Sequence, residues 1–478
     1  MSHISDYLAP QDPNEKIFKL TGKPISRSLA VVIDRASKGL YVPANVVNNI
    51  PEVKLGFNIQ EKCPESTIDH VNPEKDLERT PLRKSISEAL SNVGSFSGYK
   101  RDERGNKEPI YNGKVEKGRQ IHIVMGLPAS GKSTGLVDVV SSRFGAKVLD
   151  NDMPKEWIPE YFDGWGTGTV HEEAMKLTDD AMVDSLAAGE NIVIPKIGNP
   201  PKSLEKILTA IERQNEVFEA AGQEPYKLYV HCMDLDASKT LGRCLNRFAE
   251  TGRFVDPAWV QSFSDNPDCL KESFETLKNG YINEKGHSFI VPAGTSMWTS
   301  DVAYGKDPVL LDYSGDLGDT AFIQGANKDK SAVIGVQEET EEQKMAASLY
   351  MYGLTCQDQA ELIMDGTDYD KKAVEILTEK KAIAERKLNE ILGVTDKVDP
   401  DYIHIETDKF MTADEKESEK QKFENSLEKL GEKNEAEAVT VDAAESLTMK
   451  ERMMHKISDK VSTLDSLEGD DSCSYPSL

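Results

Sequence analysis

Hydrophobic and polar residues alternate along the middle of the chain in a pattern that predicts strands separated by helices. Between residue 118 and about residue 300, short apolar runs precede segments with apolar residues at helical spacing, which end near glycine. The predicted strands are Ile121–Met125, Lys147–Leu149, Asn191–Ile194 and Lys227–Cys232, with HSFIVPAG (287–294) as a candidate fifth. Segments 170–189 and 201–222 are typical of helices. This alternation predicts an α/β fold, with a parallel sheet covered by helices on both faces.

The flanking regions carry weaker patterns. Residues 1 to about 75 contain β-like runs such as 28–47, broken by Pro and Asn, and predict a small α+β arm. Segment 72–90 predicts one helix, and the polar segment 98–114 predicts a loop. After residue 300 the chain begins irregularly at 305–322. It then predicts two helices, at 338–354 and 368–392.

These shifts in composition divide the chain into four parts. Residues 1–115 form an N-terminal region of unknown role that ends in a polar linker, and residues 116–300 form the α/β domain. Residues 301–400 are a helical extension. Residues 401–478 are an acidic tail, rich in charge and poor in aromatic residues, which predicts disorder or solvated helix.

Composition limits the classes of function. The net charge of -26 argues against binding to a nucleic acid, which requires basic surfaces. Six scattered cysteines without a CxxC pair suit reduced thiols in a cytoplasm. The first residues lack the features of a secretory signal peptide, and no apolar run is long enough for a membrane span. We therefore expect a cytoplasmic protein without membrane contact, although an effector exported without a cleaved signal gives the same pattern.

One motif carries specific chemistry. The stretch QIHIVMGLPASGKSTGL (120–136) matches G-x-x-x-x-G-K-[ST], with an apolar strand before it and helix-compatible sequence after it. Such a loop binds the phosphates of ATP through backbone N–H groups and its lysine, and its serine ligates Mg²⁺. The alternative is a plain glycine turn between a strand and a helix. The nucleotide-binding residues predicted here are Gly126, Leu127, Pro128, Ala129, Ser130, Gly131, Lys132, Ser133 and Thr134.

Two carboxylates follow the second predicted strand. Asp150 and Asp152 lie at the end where an open α/β sheet binds its ligand. One of them could accept the proton of a substrate hydroxyl and the other could hold the metal; we favour Asp152 as base and Asp150, with Ser133, as metal ligand. The alternative is that both only cap the following helix.

A late helix carries a cluster of arginines. Arg243 and Arg247 are four residues apart and share a helix face, and Arg253 follows after a glycine. Arginine side chains can stabilise the negative charge that spreads over a transferred phosphoryl group. Solvated surface arginines are the alternative. The position of this cluster after a late strand is typical of the lid of a P-loop kinase.

Together these residues resemble the zeta-toxin family of P-loop kinases over about residues 118–280. The family has a D-N-D segment, here LDNDMPK, whose second aspartate is the general base, which implies this role for Asp152. It also has a late R-[YF] pair with a further arginine, here in LNRFAETGRF, which implies that Arg247 and Arg253 contact the phosphate. An acidic helix residue, Asp179, would lie near the substrate. The resemblance implies phosphorylation of a small-molecule hydroxyl, in the best-known branch that of UDP-N-acetylglucosamine.

The sequence departs from this family at the substrate side. Where the family has an E-G-T type of segment, this chain has VIPKIGNPP, with Lys196 either meeting a substrate phosphate or lying solvated in a loop. A Gly- and Thr-rich insert (157–174) contains His171 and Glu172, which we expect to line a different pocket. The sequence argues against a zinc site of the H-E-x-x-H type, because Met175 stands where the second histidine is required.

Three classes of function remain open at this stage. The first is an ATP- and Mg²⁺-dependent small-molecule kinase, a toxin or effector acting on a nucleotide sugar or, as in related effector kinases, on NAD. The second is a P-loop kinase of a polynucleotide end or a nucleoside. The third is a nucleotide-gated interaction protein without turnover. The helices after residue 335 could mask the site in cis, as antitoxin helices do in trans.

Overall fold

The computed structural model describes residues 16–61, 63, 66, 67, 79–101, 107–164, 166–364 and 370–391. Its strands are β1 (Ile17–Phe18), β2 (Lys23–Pro24), β3 (Gly98–Arg101), β4 (Lys107–Ile110), β5 (Gln120–Gly126), β6 (Lys147–Val148), β7 (Ile192–Lys196), β8 (Lys227–Asp234), β9 (Gly294–Thr299) and β10 (Val309–Gly315). Its helices are α1 (Arg27–Ser37), α2 (Ala44–Asn48), α3 (Pro51–Gln60), α4 (Arg79–Ser91), α5 (Asp138–Phe144), α6 (Asp152–Lys155), α7 (His171–Ala187), α8 (Glu205–Ala220), α9 (Ala237–Thr251), α10 (Pro257–Gln261), α11 (Cys269–Lys278), α12 (Ala321–Gln324), α13 (Glu341–Met364) and α14 (Lys371–Ile391).

The centre of the molecule is a six-stranded sheet in the order β10-β9-β8-β5-β7-β6. Strands β5 to β9 are parallel, and β10 pairs antiparallel with β9 at one edge. Alternate residues of β5 face opposite sides, so Ile121 and Ile123 pack with α7 and α8 while Val124 packs with α5 and α12. The predicted α/β fold with helices on both faces of a parallel sheet is confirmed.

The strand order determines where a ligand can bind. Successive connections leave β5 in opposite directions, first to β6 and β7 and later to β8 and β9. Such a switch point creates a crevice beyond the carboxyl ends of the strands, and β5 ends there at Gly126. The two aspartates follow the second predicted strand, the edge strand β6, which is separated from β5 by β7.

The N-terminal region differs from its pattern. The β-like run 28–47 is helical in α1 and at the start of α2, since Ser26 caps α1 and most of its side chains are buried against α9 and α13. Tertiary burial outweighs the strand preference of its β-branched residues. The small antiparallel pair β1–β2 and these helices together form the predicted α+β arm.

Within segment 98–114, expected to be a loop, the described residues 98–101 and 107–110 form the antiparallel strand pair β3–β4, called the hairpin below. The hydroxyl groups of Tyr99 and Tyr111 donate hydrogen bonds of 2.6 and 2.9 Å to the Asp138 carboxylate, and this anchors the hairpin to the first turn of α5. Of the predicted helix at 72–90, the described part is α4; residues 72–78 lie outside the described residues.

Two strands near residue 300 differ from the predicted pattern. The fifth parallel strand, β9, begins only at the last residue of HSFIVPAG and contains small and polar residues. Its buried Ser296 lies 2.7 Å from Nδ1 of His231 and accepts a hydrogen bond from Trp298 Nε1 at 2.7 Å, so these polar groups are satisfied inside the sheet. Residues 309–315 of the segment expected to be irregular form β10.

The helical extension is confirmed as α13 and α14, which pack against each other. Ala347 and Met351 of α13 belong to a hydrophobic cluster with α1, α3 and α9, and Ala129 of the glycine loop packs against the same cluster. The predicted acidic tail, 401–478, lies outside the described residues. No helix of the described part combines the length and apolar character needed to cross a membrane.

Candidate active site

The glycine loop connects β5 to a helical segment, as the motif predicts. A π-helical turn, Ser133–Val137, follows Lys132 and continues directly into α5. Gly131 has φ +83°, and a Cβ at Gly126 would come within 2.7 Å of Ser130 Oγ and 2.9 Å of the Met233 carbonyl oxygen. Glycine is therefore required at both positions, because the loop is both strained and closely packed.

The back of the loop is anchored by residues that no motif indicates. Ser300, at the end of β9, donates a hydrogen bond of 2.6 Å from its hydroxyl to the Ser130 carbonyl. Arg243 donates to the Ser300 hydroxyl and carbonyl, both at 2.9 Å. Arg243 is therefore a supporting residue of the loop. Its pairing with Arg247 in the sequence does not bring it into the reaction site.

Lys132 lies within the loop itself. Its Nζ donates a hydrogen bond of 2.9 Å to the Leu127 carbonyl. Burial lowers the pKa of Lys132 to about 8, while the negative charges of Asp150 and Asp152 oppose this shift. Both aspartates therefore lie close enough to act on its ammonium group, at the same edge of the sheet.

The two aspartates have opposite environments. Asp150 follows β6, and its Oδ1 accepts a hydrogen bond of 3.0 Å from the Asp152 N–H. Burial, and next the charge of Asp152, raise the pKa of Asp150. Burial also raises the pKa of Asp152, but Arg253 and Lys155 outweigh it and hold that pKa well below its ordinary value. Asp150 therefore caps the first turn of α6 with one of its oxygens. Neither oxygen of Asp152 caps the helix, because both are paired with cations.

Two cations occupy the Asp152 carboxylate. Arg253 donates to its Oδ2, and Lys155 Nζ lies 3.0 Å from its Oδ1. Lys155 was not predicted from the sequence, and its position three residues after Asp152 on a helix is the only signal that could have found it.

Arg247 is on the same side of the site but is not engaged. Within the described part of the chain it takes part in no ion pair, and its Nε is buried without a hydrogen-bond partner. Burial, and next the charge of Arg253, lower the pKa of Arg247. A partly buried guanidinium without an anionic partner suits an anionic ligand.

The N-terminal region holds the arginine segment. Phe254, next to Arg253, packs edge-to-face on Phe57 of α3 and Phe248 of α9, with ring centroids 5.1 and 5.0 Å apart. A Cβ at Gly56 would lie 2.4 Å from the Phe254 ring. Lys19 donates to the carbonyls of Ala249 and Thr251 at the end of α9. The segment expected to be a lid is therefore packed against the N-terminal region.

The residues predicted to hold Mg²⁺ are a hydroxyl and a carboxylate near Lys132. Ser133 is exposed at the first turn after Lys132, and Asp150 stands at the same edge of the sheet. The described residues contain no group of three or more His, Cys, Asp or Glu that could hold a metal by themselves. A hydroxyl and a carboxylate oxygen are ligands of the kind that Mg²⁺ uses together with water and substrate phosphates.

The four residues predicted to contact the substrate differ in their surroundings. Lys196 ends β7, and His171 begins α7. Asp179 forms an ion pair with Lys206. Glu172 accepts a hydrogen bond of 2.9 Å from the Ser66 hydroxyl.

The neighbouring Glu173, which the sequence did not single out, is buried. It pairs with Arg79 and Arg83 of α4, at 2.5 and 2.7 Å. This fixes α4 against α7. The two arginines are four residues apart on one helix face, but this spacing in the sequence does not predict Glu173 as their partner.

Comparison with known proteins adds distant similarity of fold. No protein-family model matches the chain, and no curated protein matches it significantly. A chain from the PezAT chromosomal toxin–antitoxin system of the human pathogen Streptococcus pneumoniae is similar at 12% identity and a TM-score of 0.33, covering 66% of this chain and 98% of that one. A "putative kinase" of Chloroflexus aurantiacus is similar at 16% identity and a TM-score of 0.25, covering 38% and 87%.

Both neighbours are distant in sequence and in structure. The chemistry of this chain resides in its own loop, aspartates and arginines. Those residues and the strand order define an α/β protein of the P-loop class.

Proposed function

We propose that this protein is an ATP- and Mg²⁺-dependent kinase of the zeta-toxin type that phosphorylates a hydroxyl group of a small molecule. The observation that carries the proposal is the meeting of Lys132, two aspartates and two arginines at the carboxyl edge of one sheet. Phosphoryl transfer requires positioning and charge stabilisation of this kind.

Each group has a role that its surroundings support. Loop amides and Lys132 bind the triphosphate, and Arg247 and Arg253 stabilise the phosphoryl group in transfer. Asp152 accepts the hydroxyl proton once Arg253 has turned to the phosphate. Ser133 and Asp150 hold Mg²⁺, which neutralises phosphate charge when it is bound.

The local charges also explain how an acidic chain can bind a nucleotide. Five cations, namely Lys132, Lys155, Lys196, Arg247 and Arg253, act on the two aspartates or lie beside them. These cations supply local partners for phosphate groups, despite the net charge of -26. Distant surface charges are screened by salt beyond about 10 Å.

The acceptor we favour is a nucleotide sugar such as UDP-N-acetylglucosamine, with NAD as the rival. The test is incubation with ATP, Mg²⁺ and UDP-N-acetylglucosamine, NAD or adenosine, followed by phosphorus NMR. A new phosphomonoester in one mixture, lost in Lys132→Ala and kept in Lys176→Ala, supports the proposal; Lys176 is an exposed lysine on α7. Nucleotide binding without any phosphorylated product would favour a nucleotide-gated interaction protein instead.

A further inference from the structure

A lysine ends the strand that lies directly beside the phosphate-binding loop. Lys196 is the last residue of β7 and pairs in register with Met125, the residue before Gly126. The next residue, Ile197, accepts a hydrogen bond of 3.3 Å from the Gly126 N–H. The Lys196 side chain therefore starts between the loop and the aspartates that follow β6.

The Lys196 ammonium has no counter-ion among the residues that the structure describes. No described hydrogen bond or ion pair includes it, although Asp179, Asp150 and Asp152 act on it electrostatically. Asp152 is paired with Arg253 and Lys155, and Asp179 with Lys206. Burial lowers the pKa of Lys196, and these carboxylates only partly oppose it. A partly buried ammonium without a partner is unfavourable, and an anion from a ligand relieves that cost.

The donor triphosphate already has a full set of cationic partners. The loop amides, Lys132, Arg247 and Arg253 are available to it. Lys196 ends β7, on the side of the loop that faces β6, where it and Lys155 both contribute to lowering the pKa of His171 after desolvation of the ring. This side is where an acceptor must stand to bring its hydroxyl to the aspartates.

We propose that the acceptor alcohol carries a phosphate group and that Lys196 binds this group, which selects phosphate-bearing acceptors over neutral sugars and nucleosides. This rests on the proposed kinase function, in which the loop holds the donor.

The test uses the full-length protein with the loop occupied by Mg²⁺ and AMP-PNP. Calorimetric titrations with UDP-N-acetylglucosamine and NAD are compared with N-acetylglucosamine and uridine, and phosphorus NMR follows inorganic phosphate. We expect Lys196→Met to weaken binding of the phosphate-bearing probes at least about tenfold. Lys196→Arg should stay within about threefold of wild type. Lys202→Met, which changes an exposed lysine six residues further on, should have no effect.

Three results would overturn the proposal. The first is wild-type affinity for every phosphate-bearing probe in Lys196→Met. The second is a loss of AMP-PNP affinity in that variant with unchanged acceptor binding, since Lys196 would then serve the donor. The third is a wild-type protein that binds none of the phosphate-bearing probes.

Failure of the kinase function can be separated from failure of this inference. The same titrations in Lys132→Ala, with and without Lys196→Met, require neither turnover nor a donor nucleotide. If the wild type forms no phosphorylated product with any acceptor while a Lys196-dependent phosphate site persists in Lys132→Ala, the proposed function fails and the anion site stands.

Discussion

Arg253 donates a hydrogen bond to Oδ2 of Asp152, although 101 residues of chain separate them. Lys155 occupies the other oxygen of the same carboxylate. A substrate proton must therefore compete with two cations for Asp152. A triphosphate that attracts Arg253 would release one oxygen and make Asp152 a stronger base. This links donor binding to activation of the acceptor.

Replacing Asp152 with Asn should lower turnover at least about 100-fold, because general-base catalysis contributes about that much or more. The affinity for AMP-PNP should change less than about threefold, since the loop remains intact. Single-turnover phosphorylation and calorimetry measure the two quantities. Asp180→Asn, at an exposed position on α7, is the matched control. Full turnover in Asp152→Asn would transfer the role of base to Asp150.

Replacing Asp150 with Asn should raise the Mg²⁺ concentration for half-maximal activity about tenfold or more, because one of the two proposed protein ligands is weakened. Chelation of Mg²⁺ should abolish product formation in the wild type. A magnesium titration of initial rate measures this effect. An unchanged magnesium requirement in Asp150→Asn would remove this residue from the metal site.

Nucleotide affinity should fall as pH rises above about 8, because Lys132 loses its proton in the free protein with a pKa of about 8. If only the charged lysine binds the nucleotide, the affinity falls about tenfold per pH unit at pH values well above this pKa. Between this pKa and the ordinary lysine value of about 10.4, Lys132 is protonated in the unfolded chain but largely neutral in the folded protein. Because the unfolded chain binds more protons in this range, the free energy of unfolding rises with pH. The two trends therefore have opposite signs.

Calorimetric titration of AMP-PNP between pH 6.5 and 9.5 tests the affinity trend. Lys132→Arg keeps its charge throughout this range and should give a flat profile. A wild-type profile as flat as that of the arginine variant would contradict the assignment.

Gly56→Ala should lower the turnover number about tenfold with little change in AMP-PNP affinity. Its new methyl group would lie 2.4 Å from the buried Phe254 ring, which is held by Phe57 and Phe248 and cannot move freely. Overpacking of this kind costs about 1–3 kcal/mol and would displace the adjacent Arg253.

Gly353→Ala is the matched helical control for Gly56→Ala, since its methyl group meets only Lys381 Cγ at 4.0 Å. Thermal unfolding of both variants distinguishes a general loss of stability from a displacement of Arg253. Equal turnover in the two variants would show that the N-terminal region does not position Arg253.

Ser300→Ala should weaken AMP-PNP binding about five- to tenfold, because the Ser130 carbonyl and Arg243 lose their shared partner. Direct titration measures this loss. Ser262→Ala removes an exposed hydroxyl bonded to the Trp259 carbonyl, and should leave binding unchanged. Equal affinities in these two variants would exclude Ser300 as a support of the loop.

The sequence by itself determined the elements whose signal is local. The apolar run of β5 and the glycines around Lys132 predict a phosphate loop, because strand burial and backbone freedom depend on neighbouring residues. Helical spacing likewise predicted α7, α8, α13 and α14, and the strand–helix alternation predicted the class of sheet.

Only the tertiary structure decided how these elements meet. Whether segment 28–47 became helix or strand depended on burial against α9 and α13. The polar strand β9 is stable because His231 and Trp298 satisfy its serine. The pairing of Asp152 with Arg253, and the lack of a described partner for Lys196, follow from strand order. Hydrogen bonds and charges act through space, so the sequence around a residue does not identify a partner that is distant in the chain.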